Sequence, residues 1–339
     1  MSEATIRLTA KDLASKEEVR WCPGCGDYAI LKTVQKAIPA LGIRRENLVF
    51  VSGIGCASRF PYYMNTYGFH TIHGRAPAVA TGIKLANPEL DVWVITGDGD
   101  ALSIGGNHLI HTLRRNVDLQ ILLFNNGVYG LTKGQYSPTS VIGQRTPSTP
   151  DGVIDNPMAA CALALGAGAR FVARSFDTAG KHLEAVLARA HSHPGASFVE
   201  IFQNCNVYND EAHASFTDRK NADDRQLRVE HGKPMLFGKE GEKGIRLDQK
   251  SLRLEVIEPG KDGTSIDDVL VHDETNPLIA QMLVNMDSAA LPVALGVLHC
   301  NPGPTLVDEI YKQRERVRAS RDGADLERLL KSGHTWRVG

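Results

Sequence analysis

Two short stretches carry side chains that could do chemistry together. Gly97-Asp98-Gly99-Asp100 follows the apolar run Val92-Trp93-Val94-Ile95, and Asn125-Asn126 with Gly127-Val128-Tyr129-Gly130 follows Ile121-Leu122-Leu123-Phe124. Both apolar runs are short and stopped by turn formers, as buried parallel strands are. Asp98 and Asn126 are 28 residues apart, room for a loop, a helix and a strand. The two motifs therefore fall on the carboxyl edge of one βαβ unit, where open α/β sheets place ligands. Hard oxygen ligands on a glycine-rich edge suit Mg2+ holding a diphosphate, because Mg2+ takes one or two carboxylates and fills its octahedron with phosphate and water. Asp98, Asn126 and the backbone carbonyl of Val128 would supply the protein half. Alone, Gly-Asp-Gly is a turn and Asn-Asn a helix stop. At the ends of successive buried strands they favour a cofactor.

Thiols are the second resource. Cys22 and Cys25 form a Cys-Pro-Gly-Cys loop, Cys56 ends Gly-Ile-Gly-Cys, and Cys205 follows an apolar run at 197–202. Each of the four stands at a loop or strand end. Cys161 and Cys300 sit in apolar surroundings and read as small core residues. A lone CxxC fits a zinc knuckle, a redox pair or half of an iron–sulfur site. Structural zinc usually takes two paired knuckles, whereas a [4Fe–4S] cluster accepts four thiolates with looser spacing.

The elements that must hold these residues follow from periodicity and breakers. Residues 1–20 read as a polar arm. Asp27 can cap a helix with Ile30, Leu31, Val34, Ile38 and Leu41 on one face, stopped by Gly42. Strands are expected at 48–52, 92–95, 119–124, 170–174 and 197–202. Helices are expected from Pro77 to Asn87-Pro88 and at 104–115, 157–166 and 178–191. This alternation predicts an α/β fold with a doubly wound, mostly parallel sheet. Residues 127–154 form a long loop of the kind that usually serves function. Past 205 the chain is charged and dotted with glycine, with short strands expected at 252–257 and 266–271 and a helix from Asn276-Pro277. A charged helix at 305–331 reads as a solvated face. The predicted division is an arm with the CxxC at 1–26, a cofactor-binding α/β domain at 27–205 and an extension at 206–339 that covers a partner or the cofactor.

With 339 residues, 42% hydrophobic and 23% charged, the composition is that of an ordinary globular protein. A net charge of −1 gives no basic surface for nucleic acid. No apolar run approaches the roughly 18 residues of a membrane helix. Met1–Ala10 lacks a signal-peptide pattern, so a cytoplasmic protein with free or metal-bound cysteines is expected.

Gly-Asp-Gly, this spacer and Asn-Asn resemble the motif of thiamine-diphosphate enzymes. Adding Cys-Pro-Gly-Cys, Gly-Ile-Gly-Cys-Ala-Ser-Arg, His-Gly-Arg-Ala-Pro-Ala-Val-Ala-Thr-Gly and Asn-Asn-Gly-Val-Tyr-Gly-Leu-Thr-Lys-Gly-Gln, the chain resembles the β subunits of 2-oxoacid:ferredoxin oxidoreductases over about residues 18–300. The resemblance implies that Cys22, Cys25, Cys56 and Cys205 bind a [4Fe–4S] cluster. It implies that Asp98, Asn126 and the Val128 carbonyl bind Mg2+. His73, Thr132 and the backbone around Cys56 (Gly55, Ala57) match diphosphate and thiazolium contacts. Gly97, Gly99, Asp100, Gly130 and Leu131 complete the expected cofactor-binding set.

The activity implied is oxidative decarboxylation of a 2-oxoacid on thiamine diphosphate, with single electrons leaving through the cluster to ferredoxin and coenzyme A taking the acyl group. The same subunit could run in reverse. Arg59 and Lys133 are candidates for a second substrate carboxylate, and Leu-Thr-Lys-Gly-Gln looks like the 2-oxoglutarate-using form. Pyruvate or another 2-oxoacid is the alternative, as is a non-oxidative thiamine-diphosphate decarboxylase with structural zinc. One α/β domain is evident where this chemistry needs two, so an α subunit is expected, in a dimer of αβ heterodimers.

Overall fold

The central strands form where largely apolar runs have both faces to bury. The computed structural model describes residues 8–286, 290–320 and 326–339; the expectations for residues 1–7 and 321–325 lie outside them. In chain order the strands are β1 (Leu48–Ser52), β2 (Tyr67–His70), β3 (Asp91–Gly97), β4 (Gln120–Asn125), β5 (Phe171–Phe176), β6 (Ser197–Phe202), β7 (Gln226–Val229), β8 (Leu236–Phe237), β9 (Lys243–Asp248), β10 (Arg253–Ile257) and β11 (Val293–Cys300). Eight of them make one sheet in the order β2-β1-β3-β4-β6-β5-β11-β7. Every neighbouring pair is parallel except β11 with β5.

Alternation along the central strands divides the core into two layers. Val49, Val51, Val92, Val94, Ile121 and Leu123 face one cluster, which Ala80, Leu109 and Ala164 of helices Ala76–Ala86, Gly106–Arg114 and Ala160–Gly166 complete. Leu48, Phe50, Trp93, Ile95, Leu122 and Phe124 face the other, with Ile30 and Val34 of Asp27–Ala37 and Leu183 and Leu187 of Gly180–Ser192. Helices cover both faces, as a doubly wound sheet requires. Burying one Leu or Phe from each layer contributes about 1.5–3 kcal/mol, so the sheet's carboxyl edge is a stiff platform.

Four local results differ from the periodic expectation. Gly97-Asp98-Gly99-Asp100 is the start of a short helix, Asp98–Leu102, where unpaired N–H groups favour acidic side chains. Strand β2 is an exposed edge strand, so burial leaves no alternation in its sequence. Ile266–Asp268 is a 3₁₀ turn instead of a strand. There Ser265 N–H donates to Asp268 Oδ2 (2.7 Å) and Asp267 N–H to Ser265 Oγ (3.2 Å), local bonds that compete with pairing. Past residue 205 the chain does not stand apart from the sheet: β7 and β11 extend it, and β8–β10 form a small antiparallel sheet whose Phe237, Ile245 and Ile257 enter the first core layer. The charged helix Leu306–Ala319 buries only Val307, consistent with a solvated face. Among the described residues no helix is long and apolar enough to cross a membrane.

Candidate active site

Register brings the two oxygen motifs to one edge: Gly97 pairs with Phe124 where β3 and β4 run parallel. Asp98 follows at once and is 2% exposed. Its Oδ2 accepts from Ser137 Oγ (2.5 Å) and Thr139 Oγ1 (2.6 Å). Burial pushes the carboxyl up from its ordinary value, and the two hydroxyls oppose that shift. A buried carboxylate with its orientation fixed but its charge uncompensated is the donor a divalent cation would complete. Thr139 Oγ1 also lies 2.9 Å from Asn125 Oδ1, which links Asp98 to the Asn-Asn pair.

Asn126 Oδ1 accepts from Val128 N–H (3.1 Å) and its Nδ2 donates to Gln203 Oε1 (2.9 Å). Asn125 Nδ2 donates to Glu200 Oε1 (2.8 Å), and Glu200 is paired with Arg174 (2.8 Å), both buried. Burial alone would raise the Glu200 carboxyl; the Arg174 charge and the Asn125 bond outweigh it and hold it low. From beyond Cys205, Asn209 Nδ2 donates to Asn126 O (2.8 Å) and His213 Nε2 to Asn125 O (3.0 Å). The pair is braced on every side.

Asp100 is spent on the protein, one layer behind the expected cofactor contacts. Its carboxylate accepts from Ile54 N–H (3.1 Å), Gly74 N–H (2.9 Å), His73 Nδ1 (3.0 Å) and Thr96 Oγ1 (2.8 Å), so it ties two loops to strand β3. Gly53 allows this, since a Cβ there would stand 1.9 Å from an Asp100 oxygen. Gly99 likewise admits the Tyr129 ring, which a Cβ would meet at 2.2 Å. His73, held at Nδ1 and half exposed, keeps Nε2 for another partner. In the loop after Gly130, Thr132 bonds Gln135 and Leu131 is exposed. Lys133 takes φ +76°, its N–H donating to Gly130 O (3.1 Å).

The four expected thiols come together around that loop. A Cβ on Gly130 would lie 3.5 Å from Cys56 Sγ and 3.6 Å from Cys205 Sγ. Trp21 Nε1 donates to Cys56 O (2.7 Å), and Asn206 Nδ2 to Pro23 O (2.7 Å), which fastens the Cys22–Cys25 loop to both other cysteine loops. All four are free thiols. Burial, then Asp27, Cys205 and Cys22 nearby, push the Cys56 thiol up to about 12. Cys25 is pushed up as well, by burial first, then Asp27, with Cys56 and Cys205 adding to it. Cys25 and Cys56 thus feel neighbouring thiols, and a cation among them would favour the thiolate form that binds metal. Among the described residues no three His, Cys, Asp or Glu side chains are drawn tightly enough for a single metal ion, so the sulfurs are neighbours without being packed on one point. Arg59 lies within electrostatic reach of Cys56 and of His70, while Gly55 (φ +126°) and Ala57 flank Cys56. The core cysteines stay apart: Cys161 joins Glu200 (3.2 Å), and Cys300 lies near His193 (3.8 Å).

Ser137, Thr139 and Gln203 join the candidate site although pattern reading passes over them. The only signal for the first two was the length of the loop holding them.

Residues 53–201 match the family described as thiamine pyrophosphate enzyme, C-terminal TPP binding domain. The 2-oxoglutarate oxidoreductase subunit KorB of Mycobacterium tuberculosis is 49% identical over 336 residues, 97% of this chain and 88% of that one. The 2-oxoacid:ferredoxin oxidoreductase subunit beta of Saccharolobus solfataricus is 46% identical over 202 residues, 59% of this chain and 66% of that one. The chain belongs to the β subunits of this oxidoreductase family. As such it is one part of a multi-subunit enzyme, and it carries that enzyme's thiamine-diphosphate-binding fold. A solved 2-oxoglutarate:ferredoxin oxidoreductase from Magnetococcus marinus, with 2-oxoglutarate, coenzyme A and succinyl-CoA bound, matches this β subunit with TM-score 0.78 and 33% identity over 97% of both chains. The likeness extends past residue 300, beyond the span the motifs alone indicated.

Proposed function

We propose that this β subunit, with an α subunit in a dimer of αβ heterodimers, converts 2-oxoglutarate and coenzyme A to succinyl-CoA and CO2 and passes the electrons to ferredoxin. When bound, thiamine diphosphate supplies the decarboxylation chemistry and a [4Fe–4S] cluster the one-electron steps. Asp98, Asn126 and the Val128 carbonyl hold Mg2+ against the diphosphate; Ser137 and Thr139 keep the Asp98 oxygen aimed there. His73, fixed by Asp100, presents its outer nitrogen as a diphosphate contact. Cys22, Cys25, Cys56 and Cys205 hold the cluster.

One observation carries the reading. Gly130, in the loop that continues the Asn-Asn motif, faces the sulfurs of both Cys56 and Cys205. The oxygen site and the sulfur site therefore share a wall, the closeness that single-electron transfer requires. Arg59 and Lys133 flank that wall, and neither has a carboxylate partner among the described residues, so either can receive the distal carboxylate of 2-oxoglutarate. Ile72, Ile104, Leu131, Val141, Ile142 and Ile154 are exposed on the loops around the edge, an apolar surface that suits a covering subunit.

Anaerobic co-purification with the α subunit tests this. Expected are a brown protein that bleaches with dithionite and forms succinyl-CoA from 2-oxoglutarate, with the isolated β subunit inactive. Turnover by the isolated chain, or a colourless zinc protein, would count against it. Lys133→Ala should lower the preference for 2-oxoglutarate over pyruvate by about 10–100-fold in kcat/KM, the worth of one charge-assisted hydrogen bond of ~1.5–3 kcal/mol. An unchanged preference would leave Arg59 as the specificity residue.

A further inference from the structure

Between the oxygen site and the thiols stands Gln203, just past β6 and 1% exposed. Its backbone N–H and both ends of its side-chain amide are committed. Its backbone N–H donates to Asn125 O (2.9 Å), Oε1 accepts from Asn126 Nδ2 (2.9 Å), and Nε2 donates to Asn204 O (2.6 Å) and Cys25 Sγ (3.3 Å). The amide can point only one way, because the atom 2.6 Å from a carbonyl oxygen must be the NH2 group. Asn126 is then fixed in turn: its NH2 must face Gln203 Oε1, which leaves its Oδ1 on the side of Val128 N–H. One backbone carbonyl thereby sets the orientation of two amides in series. The same Asn204 oxygen accepts from Gly26 N–H (3.1 Å), so the loop carrying Cys25 is pinned to the point that orients Gln203. No slack remains, since a Cβ on Gly26 would stand 3.0 Å from Gln203 Cγ.

We infer that Gln203 is a positioning residue that couples the two sites, orienting Asn126 toward the cofactor with one end of its amide and donating an N–H···S bond to Cys25 with the other. The inference rests on the proposal that the four thiols hold a [4Fe–4S] cluster. A cluster that gains one electron places more negative charge on its sulfur ligands. A fixed N–H donor stabilises that reduced state more than the oxidised one, so it raises the reduction potential. The Asn126 end acts on binding of Mg2+ and diphosphate instead.

Two substitutions separate the two ends, each made in the complex with the α subunit. Gln203→Glu keeps an oxygen for Asn126 and loses the amide donor to sulfur; Gln203→Met loses both and adds no charge. Redox titration followed by electron paramagnetic resonance reads the cluster, and calorimetric titration with Mg2+ and thiamine diphosphate reads the cofactor site. Both variants should lower the reduced-to-oxidised ratio at fixed potential by about tenfold, a shift of about 59 mV toward negative. Cofactor affinity should stay within about threefold for Gln203→Glu and fall at least about tenfold for Gln203→Met. A Gln203→Glu cluster at the wild-type potential overturns the proposal, even if Gln203→Met fails to fold. So does a folded Gln203→Met protein with wild-type cofactor affinity. Wild-type protein that binds no iron overturns instead the cluster reading on which the coupling rests.

Discussion

The oxygen site and the sulfur site are adjacent, yet they are built in opposite ways. Around Asp98, Asn125 and Asn126 nearly every polar atom already has a protein partner. Hydroxyls from the 137–139 turn, a buried Arg174–Glu200 pair behind, and Asn209 and His213 from the far side hold the donors in place. Around Cys22, Cys25, Cys56 and Cys205 the backbone is tied while the thiols are not. The loops are fastened through Trp21 and Asn206, and Cys25 Sγ accepts from Gln203 Nε2 (3.3 Å). A weakly held hard cation demands ligands preset in an octahedron. Strong metal–thiolate bonds can draw soft ligands in, so fixing the loops is enough.

The largest expected effect is on the sulfur side. Cys56→Ser should abolish bound iron and acid-labile sulfide and reduce ferredoxin-linked turnover to background, with binding of Mg2+ and thiamine diphosphate kept within about tenfold. Iron and cofactor lost together would make the two sites a single folding unit. Next, Asp98→Asn retains the shape and the bonds from Ser137 and Thr139 but removes the charge. Calorimetry should show Mg2+-dependent cofactor binding weakened by at least about 100-fold, with iron content unchanged.

Thr139→Val asks how far pre-organisation matters. It leaves a hydroxyl's worth of bonding to Asp98 and Asn125 unmade, at a cost of about 1–3 kcal/mol in stability, and Mg2+ affinity should drop about 10-fold. A Thr139 variant with full affinity would show that the cation organises its own ligands, as the thiols do. The smallest effect belongs to neither site. Burial, then Arg228, lowers the His182 pKa from 6.5 to about 4. The unfolded chain therefore binds more protons between those values, so stability is full above pH 6.5 and declines as pH falls toward 4. Urea midpoints should show His182→Gln losing about 1 kcal/mol less stability than wild type between pH 7 and 5.5, since the other lowered histidines are common to both.

Legibility in the sequence followed the range of the interactions. Strands β1, β3 and β4 were readable because burial on both faces leaves apolar runs, and β5 and β6 because only one buried charge each, Arg174 and Glu200, interrupts a largely apolar stretch. Asp98 and Asn126 were readable on one edge because each follows a buried apolar run, and register puts them there; the four cysteines were readable as ligands from the family resemblance. Asp100 was not, because nothing in Gly-Asp-Gly-Asp says which carboxylate turns inward; Thr96, Ile54 and Gly74, from three segments, decide it. Strands β7 and β11 were not, because a charged, glycine-dotted stretch gives no sign that its two apolar segments will complete a sheet begun about 180 residues earlier.

By itself the sequence determined the α/β alternation, the edge on which the ligand donors fall and the types of donor available there. Those depend on local periodicity and on side-chain chemistry, which neighbours in the chain already contain. Tertiary structure decided which carboxylate is spent on loop backbone, that Gly130 joins the oxygen site to the thiols, and that Gln203 spans them. Each of those depends on groups far apart in the chain meeting within hydrogen-bond distance, and only the packed sheet edge brings them there.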